Sequence, residues 1–225
     1  MKNKLIIAID GPAAAGKSTV AKLVAKQLNI TYIDTGAMYR AFTLYVMRQG
    51  VDPQNQAAAE AFIAKVKITL SPTGEVFLNG ENVALEIREP KVSSQVSYIA
   101  SYKSIRLALV DFQRHMAGNQ SVVMDGRDIG TYVLPEANIK IFQIASVETR
   151  AVRRYEENLA KGIMCTLDSV EEDLRHRDYI DSHREFAPLK PASDSILIDT
   201  SFMTVNEVVE RILDIVHKKV GVAHG

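Results

Sequence analysis

Short apolar runs alternate along this chain with stretches whose apolar residues recur at helical spacing. The runs are LIIAID (Leu5–Asp10), ITYID (Ile30–Asp34), SVVMD (Ser121–Asp125), IKIFQIA (Ile139–Ala145) and SILIDT (Ser195–Thr200). They are continuous rather than alternating, which is the pattern of parallel strands buried on both faces. Between them, KSTVAKLVAKQL (Lys17–Leu28) reads as an amphipathic helix. The last helix is clear: Val205, Val208, Val209, Ile212 and Val216 make one apolar stripe, Thr204 and Glu207 form a capping box, and Gly221 closes it. This alternation predicts an α/β fold, a doubly wound five-stranded parallel sheet flanked by helices.

One stretch departs from the alternation. From Val66 to Ile87 the sequence VKITLSPTGEVFLNGENVALEI alternates with period two and carries turn signals at Pro72-Thr73-Gly74 and Asn79-Gly80. It predicts a small antiparallel meander, introduced by a helix around 57–65, and serves either as decoration or as a lobe that closes over a substrate. Beyond it, QVSYIASYKSIRLALVDFQR reads as one amphipathic helix with Ser97, Ser101 and Arg106 on or near its polar side. Its position makes it a candidate wall of an acceptor pocket.

The first strand leads into GPAAAGKST, a full G-x-x-x-x-G-K-[ST] phosphate loop made of Gly11, Pro12, Ala13, Ala14, Ala15, Gly16, Lys17, Ser18 and Thr19. A strand before it and a helix after it supply the context that distinguishes the motif from a chance glycine-rich turn. The glycines let successive N–H groups turn toward an anion, and the helix N-terminus adds partial positive charge. Lys17 is then placed to reach the β- and γ-phosphates, and the Ser18 hydroxyl to ligate a Mg²⁺ that bridges them. These residues predict a nucleoside triphosphate site.

Three further constellations lie where strand ends should present them, beside that loop. DTGAMYR, from Asp34 to Arg40, starts a helix with Thr35 and carries Tyr39 and Arg40 one turn in, which suits a second phosphate. In MDGRDIG, from Met124 to Gly130, Asp125 ends a strand where an acidic residue can help hold Mg²⁺, and Arg127 and Asp128 are expected to project side by side. The third is arginine-rich, with Arg150, Arg153 and Arg154 on one helix and Arg177, Asp181 and Arg184 at spacings that place them on one face of another. It reads either as a solvated hairpin or as a mobile lid that neutralises a transferring phosphoryl group and excludes water.

Composition narrows the setting. Lys+Arg and Asp+Glu balance at 27 each, so there is no global field that draws nucleic acid or membrane, and any anion site must be built locally. The single cysteine, Cys165, precludes an intrachain disulfide framework and fits a reducing compartment. No apolar stretch approaches the roughly 20 residues needed to span a bilayer, and MKNKLIIAIDG reads as a core strand rather than a signal peptide. A cytoplasmic protein is expected. No N-K-x-D guanine signature accompanies the loop, which argues against a GTPase-like switch. From the residues alone the acceptor stays open between a nucleoside monophosphate and another small acceptor.

Six motifs in order (GPAAAGKST, DTGAMYR, the VS…SIR…QR helix, DGRDIG, RDYIDSHREFAPL and ILIDTS) resemble those of the bacterial cytidylate kinase family, over nearly the full length. The resemblance implies transfer of the γ-phosphoryl group of MgATP to CMP or dCMP, with ATP as co-substrate and Mg²⁺ as cofactor. It implies that Ser97, Arg106 and Asp128 read the cytosine ring, that Arg177 and Asp181 hold the ribose, and that Arg40, Arg127 and Arg184 bind the acceptor phosphate, with Thr35 and Tyr39 beside it. Arg153 and Arg154 look like lid arginines on the ATP side, and Lys17, Arg127, Arg153 and Arg184 carry the catalytic charge. The implied organisation is one P-loop kinase domain with a core of 1–55, 91–146 and 187–225, a monophosphate-binding insert at 56–90 and a lid at 147–186. The expected partners are nucleotides only, with neither nucleic acid nor membrane, and the expected state is a monomer.

Overall fold

The computed structural model describes residues 4–71 and 75–221. The turn expected at Pro72-Thr73-Gly74 lies outside the described residues. Five parallel strands form the main sheet: β1 (Ile6–Asp10), β2 (Thr31–Asp34), β6 (Val122–Gly126), β7 (Ile139–Ile144) and β8 (Ile196–Asp199), in the order β2-β6-β1-β7-β8. The flanking helices are α1 (Lys17–Leu28), α2 (Thr35–Arg48), α6 (Lys103–Ala117), α7 (Val147–Ala160), α8 (Leu167–His183) and α9 (Val205–Val220). Successive side chains of a strand face opposite ways, and β1 shows it. Ile7 and Ile9 pack with Val20 and Val24 of α1 and Val208, Ile212 and Val216 of α9, while Ala8 packs with Val110 of α6 and with Ile129 and Val133 on the other face. Burial on both faces explains why these strands read as unbroken apolar runs.

The period-two stretch is a three-stranded antiparallel sheet, β3 (Ile68–Leu70), β4 (Val76–Leu78) and β5 (Glu81–Asn82), preceded by the short helix α3 (Gln56–Glu60). Its buried face, Ile68, Val76 and Leu78, joins Phe42 and Leu44 of α2 in one apolar cluster with Val92 and Ile99, of the short helices α4 (Pro90–Ser93) and α5 (Val96–Ser101). The insert therefore shares its core with the wall of the cleft.

Two local departures from the sequence pattern matter for the site. The helix expected to run from Gln95 through Arg114 breaks at Tyr102, whose backbone is extended (φ −77°, ψ 116°), so that α5 and α6 are separate. The Tyr102 hydroxyl donates to the Pro53 carbonyl at 3.0 Å and anchors the break. Breaking the ladder there leaves the Ala100 carbonyl free to accept from Arg106 Nη1 at 2.9 Å. Second, α8 stops at His183, and Arg184 is its extended C-terminal cap. Arg177 and Asp181 thus lie on α8 as spaced, and Arg184 reaches the site from beyond the helix end. Among the described residues no helix is long and apolar enough to cross a membrane.

Candidate functional site

The phosphate loop is held in shape by its surroundings. Gly11 has φ +152°, and a Cβ there would sit 1.9 Å from the Gln143 carbonyl oxygen of β7, so the loop can lie this close to the sheet only with glycine. Gly16 takes φ +85° as the cap of α1, and no side chain caps that terminus, which keeps its first N–H groups for a ligand. Gln143 Nε2 donates to the Ala15 carbonyl at 2.5 Å from beneath. Lys17 is 5% exposed and donates from Nζ to the Pro12 carbonyl at 2.7 Å. Burial lowers its ammonium to about 7, and Arg127 adds to the effect, against Asp125, Asp10 and Asp178, which raise it.

That shift has a measurable consequence. Phosphate anions favour the ammonium form, so nucleotide binding raises the Lys17 pKa again. At pH 8, above the ligand-free value of about 7, Lys17 is mostly neutral before binding, and ATP should bind with uptake of a proton. At pH 6 the group is already charged and the uptake shrinks. Calorimetry in buffers of different ionisation enthalpy measures this, and a binding heat independent of buffer at pH 8 contradicts it.

Beside Lys17, Ser18 Oγ donates to Asp125 Oδ2 at 2.7 Å, and the Tyr32 hydroxyl donates to Asp125 Oδ1 at 2.8 Å. Burial pushes the Asp125 carboxyl up, and Asp34 adds to it. Among the described residues no group of three or more His, Cys, Asp or Glu side chains could hold a metal by itself. One hydroxyl and one carboxylate, both hard oxygen donors, fit Mg²⁺, which takes its other ligands from phosphates and water.

Across the cleft the arginines divide into two groups. In the first, Arg106 Nη2 donates to Asp128 Oδ2 at 2.5 Å, Arg184 Nη2 lies 3.5 Å from Asp128 Oδ1, and Tyr39 lies under the Arg106 guanidinium at 5.3 Å. Arg184 also donates to the carbonyl of Ala187, from Nε at 2.8 Å and from Nη2 at 2.6 Å, and so holds a loop in which Ala187 has φ +49°. Ser97 is buried alongside this group. In the second, Arg127 Nε donates to Asp181 Oδ2 at 2.8 Å, and Arg40 Nη2 lies 3.3 Å from Asp34 Oδ2. Arg127 and Asp128 are thus not a pair: adjacent in sequence, they serve the two groups. Arg177 Nε is buried with no hydrogen-bond partner. Burial lowers the Arg177 pKa to about 10, with Arg127 repulsion next and Asp181 opposing. Such a charge is short of an anion.

In the same cleft, Arg153 Nη2 donates to the Thr200 carbonyl at 2.7 Å, and Arg154 Nε lies 3.4 Å from Glu157. The Thr35 hydroxyl donates to the Asp125 carbonyl at 2.7 Å, tying α2 to the end of β6. One cleft of about 510 Å³ gathers Ala13 through Thr19, Thr35, Tyr39, Arg40, Asp125 and the residues of both arginine groups. Of the residues singled out from the sequence, Gly11, Pro12, Ser101 and Arg150 do not line it. Its walls carry nine Lys and Arg side chains against five Asp and Glu, so it is built for a polyanion.

Four contributors were not evident from the sequence. Asp10 accepts the N–H groups of Ile129 and Gly130, each at 2.7 Å, and so positions the turn that carries Arg127 and Asp128. Burial pushes its carboxyl up to about 7, although those two amides pull the other way. That turn continues as a single π-helical turn, Ile129–Val133. Arg88, from the insert, lies 3.4 Å from Asp34. Gln143 and Tyr32 complete the set. Only Asp10 left a trace, as a charged residue closing an apolar strand.

A phosphate loop at the carboxyl ends of a parallel sheet, sharing one cleft with eight arginines of which the buried Arg177 has an unpartnered Nε, defines a P-loop phosphotransferase with two substrate positions. The fold agrees: a gluconokinase from Sinorhizobium meliloti 1021 superposes with a TM-score of 0.51 at 12% identity, over 95% of this chain and 92% of that one. The family model described as cytidylate kinase matches residues 7–218. A cytidylate kinase of Bacillus licheniformis is 52% identical over 223 residues, covering 97% of this chain and 99% of the relative. One from Geobacillus sp. (strain WCH70) is 50% identical over 224 residues, covering 98% and 100%. The chain belongs to the cytidylate kinase family, ATP-dependent nucleoside monophosphate kinases.

Proposed function

We propose that this chain transfers the γ-phosphoryl group of MgATP to CMP or dCMP, and that the two arginine groups divide the acceptor between them. The observation that carries the reading is the buried Arg106–Asp128–Arg184 network in the wall of the cleft that the phosphate loop lines. Cytosine offers an N4 amine donor and the N3 and O2 acceptors. An aspartate oxygen matches the first and a guanidinium the others. Uracil presents an acceptor at position 4 and would set it against the same carboxylate.

In this reading Ser97, Arg106 and Asp128 read the base, and Arg177 and Asp181 hold the ribose. Arg40, Arg127 and Arg184 orient the acceptor phosphate, with Thr35 and Tyr39 beside it. The acceptor phosphate is itself an adequate nucleophile, so no residue has to act as a base. Lys17 and the loop amides hold the donor phosphates, and Arg153 and Arg154 meet the charge that develops on the transferred group. Ser18 and Asp125 would hold Mg²⁺, which neutralises charge on the donor phosphates when bound. The insert at 56–90 and the lid at 147–186 are read as closing on the core (1–55, 91–146 and 187–225). The His176 ring, of α8, lies within 2.9 Å of the Tyr98 hydroxyl, of α5, which supports a joint between the lid and the acceptor wall. We read the protein as a cytoplasmic monomer acting on free nucleotides.

A coupled assay of ADP release with CMP, dCMP, UMP, AMP and GMP as acceptors tests this. CMP or dCMP should give the highest kcat/KM. A preference for AMP or UMP overturns the assignment of the base-reading group.

A further inference from the structure

The phosphate loop is gripped from behind by a buried ion pair that the mechanism above does not use. Arg150, on α7, and Asp178, on α8, pair at 2.6 Å between Nη1 and Oδ2, with side chains 7% and 21% exposed. Both also hold Ala13. Asp178 Oδ1 accepts the Ala13 N–H at 3.1 Å, and Arg150 Nη1 donates to the Ala13 carbonyl at 3.1 Å. Arg150 Nε donates in addition to the Ala145 carbonyl at 2.9 Å, which ties the pair to the end of β7. Around this polar core, Ala13 packs with Ala151 of α7 and with Val170 and Leu174 of α8.

The two peptide planes flanking Ala13 are therefore fixed from outside the cleft, one through its N–H and the other through its carbonyl. The next residue, Ala14, has φ +57°, a left-handed conformation that alanine adopts only when its surroundings impose it. This is where the loop turns toward the cleft. On α8, Asp178 lies between Arg177 and Asp181, which line the cleft, whereas Asp178 does not. One rigid helix thus grips the donor loop with residue 178 and presents acceptor-side groups at residues 177 and 181.

We propose that Arg150 and Asp178 are positioning residues that lock the phosphate loop to α8, so that donor and acceptor phosphates are held in register for in-line transfer. This rests on the reading of the cleft as a nucleotide kinase site, which the wild-type rate with CMP tests separately.

The experiment compares Asp178→Asn, Arg150→Gln, the double variant and the charge-conserving Arg150→Lys with the wild type. It measures kcat, KM for ATP, and CMP affinity by calorimetry without ATP. Displacement of a reacting group by about 1 Å costs on the order of 100-fold in rate, and a fall of that size in kcat is expected for each single neutral variant. CMP affinity should change far less than kcat, because Arg127 and Arg40 keep their paired carboxylates, Asp181 and Asp34. The double variant should be no slower than the worse single one, since both remove the same grip. Arg150→Lys keeps the charge but lacks the second donor arm, and should fall between wild type and Arg150→Gln. If Asp178→Asn fails to fold by circular dichroism, Arg150→Lys decides alone. An unchanged kcat in folded variants overturns the proposal, as does a loss of CMP affinity in step with kcat, which is what general loosening of α8 would produce.

Discussion

Lys17→Ala is expected to lower kcat about 1000-fold, the upper end of what removing one preorganised charge-stabilising donor costs. Lys17 closes the loop sequence, and among the described residues its one hydrogen bond from Nζ is to the Pro12 carbonyl. That bond is a resting place. Nothing in the fold requires the charge, since burial already holds the ammonium down at about 7. Removing a buried charge that the folded state disfavours does not weaken the fold. Native Lys17 binds its proton less tightly than the unfolded chain does, so between about pH 7 and 10.5 its contribution to stability rises with pH. Lys17→Ala loses that pH-dependent increment and should melt at or above the wild-type temperature near pH 6. Steady-state kinetics and a thermal melt check both halves. Near-normal turnover, or a collapse of the melt, contradicts the role.

Arg184→Met is expected to cut kcat by roughly 100-fold or more and to raise KM for CMP, with a loss of stability that Lys17→Ala lacks. Arg184 has three structural engagements: Asp128, the Ala100 carbonyl at 3.5 Å, and the Ala187 carbonyl. Methionine fills the space but satisfies none of them. Leaving a buried acceptor unpaired costs about 1–3 kcal/mol, so the urea midpoint should fall. Asp128 would keep Arg106 as a partner, which protects it from standing as a lone buried charge. The distinguishing signature is therefore the combination of slower transfer, weaker CMP binding and lower stability. A stability loss with unchanged kcat would reduce Arg184 to a loop brace for residues 184–187.

The phosphate loop, the strand that leads into it and the arginine-bearing helices were legible in the chain because each rests on short-range rules. A loop signature is contiguous, and apolar runs and helical stripes are periodic. The division of labour between Arg127 and Asp128 was not legible. Their partners, Asp181 and Arg106, lie 54 and 22 residues away, and adjacency suggested a pair that the fold does not make. The break at Tyr102 was hidden for a similar reason: the amphipathic pattern runs across it, and its anchor, Pro53, sits 49 residues upstream.

By itself the sequence determined the donor, since nine consecutive residues between a strand and a helix suffice to build a triphosphate cradle. It also determined the family, through six motifs in order. Tertiary structure alone decided how the cations are shared. It set Arg184 with Asp128 and left Arg177 Nε without a hydrogen-bond partner. It also turned Arg150 and Asp178 inward against the loop. The physical reason is that a charged side chain's role depends on what neutralises it and how much water surrounds it. Both are settled only when distant segments fold together.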